Sequence, residues 1–195
     1  MTRSIAGANM PQIPNAQLTH LGIFVHDPDR MVAFYTELFG MVVTDSGEFM
    51  GKHLTFLTGS TNEHHQVVFV KGRTGEKTTK ILGQVSFRVD DLDGLRHFER
   101  SAVELGATEM EARDHGNSWS IYFRDPEYNF IEMYCPTPWQ VRQPWRVSLD
   151  LSKSNDEIFA ETKHLIEADG VMVPLDEWEG DIAERIAARR AGTES

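Results

Sequence analysis

The sequence predicts an α+β protein with two tandem βαβββ modules, which form a curved mixed sheet around a cavity, and a helical C-terminal tail. Two observations lead to this fold class. The chain contains an internal repeat, and each copy opens with an alternating apolar run that changes to helical spacing. A third observation adds the tail, because the pattern changes again after Cys135.

The repeat emerges when the chain is aligned with itself at an offset of 64 residues. HLGIFVHDPDR (20–30) then lies on QVSFRVDDLDG (84–94), with Val25 on Val89 and Asp27 on Asp91. Self-similarity at a fixed offset is the mark of a duplicated structural unit. The chain is therefore expected to fold as two copies of one module.

Each copy predicts one strand, one helix and three further strands. The apolar residues first recur at every second position, as in a strand with one face in the core, and then at helical spacing up to Gly40 or Gly106. Turn residues separate the strands that follow. These strands are expected at 41–45, 53–58 and 65–70 in the first copy and at 107–112, 118–124 and 129–135 in the second.

Boundaries follow from the same pattern. We expect an N-terminal extension, the first module, a polar glycine-containing linker, the second module and a helical tail, at 1–17, 18–70, 71–80, 81–136 and 137–195. In the tail, which belongs to neither repeat, Ser154 and Glu157 form a capping box that predicts a helix to about residue 168. A second helix is expected over about 176–190. Its apolar residues need a surface to cover, on the same chain or in a homodimer or higher homo-oligomer.

Composition limits the classes of partner that the protein is expected to bind. A net charge of -11 argues against nucleic acid and against anionic membrane surfaces, and leaves small ligands and metal ions open. The single cysteine, Cys135, cannot form an internal disulfide, and neither a signal peptide nor a membrane-spanning segment is predicted. The expected location is the cytoplasm.

Polar residues on the predicted strands suggest a metal site. His20 and Gln84 open the two repeated strands, and alternation turns Glu132 away from the helix-facing side of the last strand. An imidazole and a carboxylate from different strands are two thirds of the facial triad of non-haem iron enzymes, and the Gln84 amide oxygen would be a weaker third ligand. Alternatively, His20 and Gln84 cap strand ends and Glu132 pairs with Arg88, and the residues alone leave both readings open.

The hairpin DHGNSWSIYFRDPEYNFIEMY (114–134) carries a histidine, an aliphatic-tyrosine pair, an acidic-proline turn and a glutamate, namely His115, Ile121-Tyr122, Asp125-Pro126 and Glu132. This spacing resembles the signature of type I extradiol ring-cleavage dioxygenases in the vicinal oxygen chelate superfamily, which also contains glyoxalases and bleomycin-resistance proteins. HHQVVF (64–69) and LTHLGIFV (18–25) resemble the segments that carry that family's acid–base histidine and first metal ligand. The resemblance covers about residues 18–135.

The resemblance implies a reaction and its residues. A divalent metal, Fe²⁺ first and Mn²⁺ as the other choice, would be bound by His20, Gln84 and Glu132, and the substrates would be a small aromatic diol and O₂. His65 would act as the acid–base residue, while His115 and Tyr122 would hydrogen-bond the substrate oxygens and stabilise developing charge. The expected function is a metal-dependent extradiol-type dioxygenase, an oxidoreductase.

Departures from the family pattern keep other functions open. Gln84 stands where a histidine ligand is expected, a defect for a fosfomycin-type transferase as well, and Tyr128 replaces a turn Gly or Pro. The repeat offset places Val68 at the fourth ligand of a glyoxalase-like isomerase or lyase and favours His64 over His65 as the inward histidine. The remaining alternative is a metal-free small-molecule binding protein of the resistance type.

Overall fold

The computed structural model describes residues 13–80, 82–170 and 172–192. The predicted N-terminal extension, 1–17, lies outside the described residues as far as residue 12. Among the described residues, no helix is both long enough and apolar enough to span a bilayer.

The first module has the predicted βαβββ order. It contains β1 (Leu21–Val25), α1 (Pro28–Phe39), β2 (Val42–Phe49), β3 (Lys52–Thr58) and β4 (Val67–Lys71). Its sheet has the order β1-β4-β3-β2, with β1 parallel to β4 and the other neighbours antiparallel. The helix therefore crosses one face of a four-stranded sheet.

The second module repeats this topology. It contains β5 (Val85–Arg88), α2 (Leu92–Glu104), β6 (Thr108–Asp114), β7 (Ser118–Arg124) and β8 (Phe130–Pro136). Its four strands follow the order β5-β8-β7-β6, and β5 runs parallel to β8 as β1 runs parallel to β4. The predicted pair of βαβββ modules is thus confirmed.

The tail comprises β9 (Trp139–Val141), β10 (Val147–Ser148), α3 (Asn155–Ala168), β11 (Met172–Pro174) and α4 (Leu175–Ala191). The predicted capping box begins α3. Although the tail belongs to neither repeat, β10 pairs with β6 and extends the second sheet to five strands. A strand of two residues has no detectable periodicity, so no sequence pattern announced it.

Local signals set the helix ends. The Asp27 side chain accepts a hydrogen bond from the backbone N–H of Arg30 at the start of α1, and Gly40 ends the helix in the left-handed conformation with φ 64°. Asp91 caps α2 in the same way through the N–H of Gly94. The repeated Asp residues thus have a structural role in both copies.

One hydrophobic core runs through both modules. Phe39 on α1 stacks on Phe87 of β5 with ring centroids 4.2 Å apart. Tyr35 contacts Phe69 of its own sheet at 4.9 Å, so α1 packs against both sheets. Since the helix serves two modules, the modules are not independent folding units.

The turn between β7 and β8 needs a left-handed residue. Asp125 accepts hydrogen bonds from the backbone N–H groups of Glu127 and Asn129, and Tyr128 between them has φ 66°. Tyr128 therefore occupies a conformation that favours glycine. Its ring lies 5.0 Å from the guanidinium of Arg124, a contact that helps to hold the turn.

Candidate functional site

Strand register gathers the polar residues of the second module. β5 and β8 pair in parallel with Ser86 opposite Glu132, and β7 pairs with β8 so that Tyr122 is also opposite Glu132. Their neighbours Ile131 and Met133 are fully buried in the core on the other face. Alternation therefore turns Gln84, Ser86, Tyr122 and Glu132 to the face away from α2.

Glu132 is the centre of this group. Its side chain is only 8% exposed. Oε2 accepts hydrogen bonds from Ser86 Oγ at 2.5 Å and from Gln84 Nε2 at 2.9 Å, and Oε1 accepts one from the Tyr122 hydroxyl at 2.5 Å. No ion pair joins Glu132 to Arg88 within the described part of the chain. The alternative prediction that Glu132 pairs with Arg88 is therefore wrong.

Tyr122 links this carboxylate to His115. The hydroxyl lies 2.9 Å from His115 Nε2, while His115 Nδ1 lies 3.1 Å from the carbonyl oxygen of Trp145. A carbonyl only accepts, so Nδ1 carries a proton and donates to it. The hydroxyl of Tyr122, which donates its one proton to Glu132, thus stands between the carboxylate and the imidazole.

Burial and the carboxylate together keep Tyr122 protonated. Burial raises the pKa of the Tyr122 hydroxyl most, and the hydrogen bond to Glu132 raises it further. Hydrogen bonding to Ser120 and the charge of Arg146 act in the opposite direction. The phenol is therefore a hydrogen-bond donor at neutral pH.

The tail holds His115 in place. The Thr137 hydroxyl donates to the carbonyl of Gly116 at 2.7 Å, and Gln143 Nε2 donates to the carbonyl of His115 at 2.8 Å. Gly116 itself has φ 73°, and a Cβ atom there would lie 2.7 Å from a methyl carbon of Val141. The loop of His115 therefore fits only a glycine beneath the tail.

The first module contributes a separate histidine group. The rings of His20 and His65 have centroids 4.4 Å apart, and His65 lies 5.1 Å from the ring of Phe56. His64 Nδ1 is 3.0 Å from His65 Nδ1. The pKa of His65 is lowered, first by partial burial and then by the charges of His20 and His64, so its ring is neutral at pH 7 and able to accept a proton.

The two groups meet only across a cavity. Within the described residues, no hydrogen bond or ring contact joins His20 to Glu132. A cavity of about 210 Å³ between the modules is lined by both His20 and Ser86, and Ser86 donates to Glu132. The structure thus brings Gln84, Glu132, Tyr122 and His115 together, whereas His20 lines the cavity from the first module and His65 lies beside His20.

The donor set suits a divalent ion of hard or borderline character. Imidazole nitrogen, amide oxygen and carboxylate oxygen are ligands for manganese and ferrous iron. Gln84 directs its amide nitrogen to Glu132, which leaves its amide oxygen as the ligand atom. Among the described residues there is no group of three His, Cys, Asp or Glu arranged to hold a metal, so a site here depends on the amide of Gln84.

The sequence-based prediction of the site does not include Ser86 or Arg146. Ser86 shares the strand face of Gln84, so the period of two could have identified it. Arg146 belongs to the tail, and its charge lowers the pKa of Tyr122. No repeat or motif in the tail points to the site.

Comparison with known proteins identifies the family. The model of the Glyoxalase/Bleomycin resistance protein/Dioxygenase superfamily matches residues 17–133, which is more than half of the chain. The chain belongs to this superfamily. The matched segment holds both modules, and β9, β10 and the helices of the tail lie beyond it. No curated protein matches the chain.

Solved structures of the superfamily share the fold. A glyoxylase/bleomycin resistance protein/dioxygenase domain from Frankia sp. EAN1pec has 20% identity and a TM-score of 0.55, over 64% of this chain and 100% of that chain. The fosfomycin resistance protein FosX from Mesorhizobium loti has 22% identity and a TM-score of 0.51, over 64% and 94%. FosX from Listeria monocytogenes, complexed with Mn(II) and sulfate, has 17% identity and a TM-score of 0.52, over 64% and 95%. At these identities the likeness concerns the fold.

Proposed function

We propose that this superfamily member is a metal-dependent extradiol-type dioxygenase that cleaves a catechol-like aromatic diol with O₂. The observation that carries the proposal is the hydrogen-bonded series His115–Tyr122–Glu132. It connects an imidazole and a phenol, which can bind and orient substrate oxygens, to the carboxylate that would bind the metal.

His20, Gln84 and Glu132 would hold Fe²⁺ or Mn²⁺. When bound, the ion would supply Lewis-acid chemistry to the diol and to O₂. The remaining chemistry belongs to the protein's own side chains.

Three side chains would act on the substrate. Tyr122 would donate its hydroxyl proton to a substrate oxygen, and His115, oriented by the Trp145 carbonyl, would accept a hydrogen bond at Nε2. His65, which lies beside His20 and has a lowered pKa, would take a proton from the diol. Phe130, which stacks on Tyr122 at 5.2 Å, would give a flat ring an apolar wall.

A second candidate is a metal-free binding protein, and the hydrogen bonding of Glu132 favours it. Three protein donors already satisfy both carboxylate oxygens, so the buried Glu132 does not require an ion. A glyoxalase-like isomerase has less support, since the buried Val68 at the fourth ligand position has no ligand atom.

Two measurements test the proposal. Purified protein supplemented with Fe, Mn, Zn or Ni is analysed for stoichiometric metal, and the iron- and manganese-loaded forms are then offered a panel of catechols in air. We expect metal uptake and a coloured ring-opened product, which Tyr122→Phe slows while it keeps the metal. Absence of any stoichiometric metal supports the binding protein instead. Loaded enzyme that is inert towards every catechol rejects the dioxygenase.

A further inference from the structure

The tail places a cation beside the candidate site. In the β10–β6 pairing, Val147 lies opposite Asp114 and Ser148 opposite Arg113, so Arg146 comes next to His115 along the hairpin. Arg146 also follows Trp145, whose carbonyl accepts the proton of His115 Nδ1. One short segment therefore orients the histidine and delivers a guanidinium to its side.

The charges at this position do not balance. Arg146 Nη2 lies 3.4 Å from Glu111 Oε1, and Arg113 forms an ion pair with the same oxygen. Two guanidinium groups thus share one carboxylate, and the group of three carries one net positive charge. In a chain with net charge -11, an excess cation beside the candidate site is a local feature that favours an anion.

Of the two cations, Arg146 is the accessible one. Its side chain is 56% exposed, whereas that of Arg113 is 21% exposed and donates to Ser148 Oγ at 3.2 Å. Glu111 lies opposite Tyr122 in the β6–β7 pairing, so the guanidinium that contacts its carboxylate lies on the strand face of the Tyr122 hydroxyl. A ligand at Tyr122 therefore comes within reach of the free donors of Arg146.

We propose that Arg146 binds a carboxylate on the substrate, so that the site selects aromatic diols that carry an anionic group. A guanidinium can bind a carboxylate through two parallel hydrogen bonds, stronger than its single long contact with Glu111. The assignment of a diol rests on the proposed function, whereas the preference for an anion rests on Arg113, Glu111 and Arg146.

Binding measured without turnover tests the preference. Isothermal titration of the full-length protein compares 3,4-dihydroxybenzoate with 3,4-dihydroxybenzamide, two ligands of nearly equal size that differ in charge. We expect the benzoate to bind about tenfold more tightly, which corresponds to about 1.4 kcal/mol.

Variants assign the preference to one side chain. Arg146→Gln removes the preference, and Arg146→Lys retains part of it. Arg142→Gln is the matched control, because Arg142 is an exposed arginine of the same segment and makes no hydrogen bond or ion pair with another described residue. It should keep the full preference.

Two results overturn the proposal: Arg146→Gln that still prefers the benzoate, or parent protein that shows no preference, including no binding of either ligand. Ring cleavage is assayed separately. Protein that binds the benzoate through Arg146 and cleaves no catechol would refute the dioxygenase and leave the anion site standing.

Discussion

Glu127 and Arg73 form a buried ion pair, with 3.5 Å between the carboxylate and the guanidinium, where the two modules meet. Arg73 comes from the linker and also donates to the backbone carbonyl of Glu127 at 2.6 Å. The second carboxylate oxygen accepts the backbone N–H groups of His26 and Asp27 at the end of β1. One side chain of the second module thus fixes both the linker and the first strand.

Removal of the carboxylate should strongly destabilise the protein. Glu127→Ala leaves a buried guanidinium without its counter-charge, and we expect the free energy of unfolding to fall by about 3–5 kcal/mol in chemical denaturation. The double variant Glu127→Ala, Arg73→Met should lose less than the sum of the single variants. Additive losses would mean that the two charges are not coupled. Glu167→Ala, which breaks a half-exposed pair with Lys163, is the control and should change stability little.

Metal binding should depend on Glu132. We hypothesise, from its burial at the meeting point of β5, β7 and β8, that Glu132→Ala abolishes metal uptake, measured as bound metal per chain by elemental analysis. Glu109→Ala, which removes the exposed partner of Arg124, should keep the parent's metal content. Full metal content in Glu132→Ala would refute the ligand set.

Gln84 is expected to limit iron affinity. An amide oxygen is a weaker ligand for iron than imidazole, and Gln84 occupies the position in the second copy that His20 has in the first. Gln84→His should therefore bind Fe²⁺ more tightly in a competition titration with a chelator. If the dissociation constant does not fall, Gln84 is not a metal ligand.

Gly116→Ala should destabilise the loop of His115. The substitution combines a positive φ of 73° with a Cβ atom 2.7 Å from Val141 and 3.0 Å from Ile166, and we expect a loss of about 2–4 kcal/mol in thermal or chemical unfolding. Val141→Ala in the same chain should recover part of the loss. Gly180→Ala is the control, since it lies in the exposed α4 with open space around it. If Gly116→Ala unfolds with the same free energy as the parent, the tail must move aside without cost.

Asp114 should make stability fall as pH rises. Burial raises its pKa above 3.8, and hydrogen bonds from Thr162 and Gly116 offset only part of this effect. The folded state thus binds the proton more tightly, so the stabilising contribution is full below the unfolded pKa and is lost as pH rises through the folded value. Relative to the parent, Asp114→Asn should gain stability as pH rises from 3.8 through the raised pKa of the folded state.

Asp150 is the matched control, because its pKa is shifted in the opposite direction. Hydrogen bonds from Ser152 lower the pKa of the exposed Asp150, so its contribution to stability is full above the ordinary pKa of 3.8 and is lost as pH falls through the folded value. Asp150→Asn should therefore lose stability relative to the parent as pH rises to about 3.8, and show no further change above it. Denaturant midpoints measured at several pH values compare the two variants. Parallel curves for parent and Asp114→Asn would contradict the raised pKa.

Buried alternation explains why most strands could be predicted. Where one face lies in the core, as at Ile23 and Val25, the sequence must alternate, and the repeat then gives the topology. β2 continues to Phe49, whereas the sequence predicts its end at residue 45. The prediction is too short because all residues of β2 are exposed, so no apolar alternation marks its length.

The candidate site was predictable only in part. His115, Tyr122 and Glu132 lie on one hairpin, where spacing and resemblance could link them, and the structure joins them by hydrogen bonds. Arg146 reaches the site through a pairing of two residues in the tail, a tertiary contact without local signal. The roles of His20 and His65 stay predictions, since strand patterns do not report how two sheets approach each other.

The contact between Trp145 and His115 has a consequence for biosynthesis. Both modules leave the ribosome before the segment that orients His115 does, and the packing of Ile166 over Gly116 must wait for α3. Domains emerging from the ribosome can fold before the rest of the chain exists. A nascent chain of this protein can therefore begin to form its duplicated fold before His115 is oriented, and the candidate site would be completed last during translation.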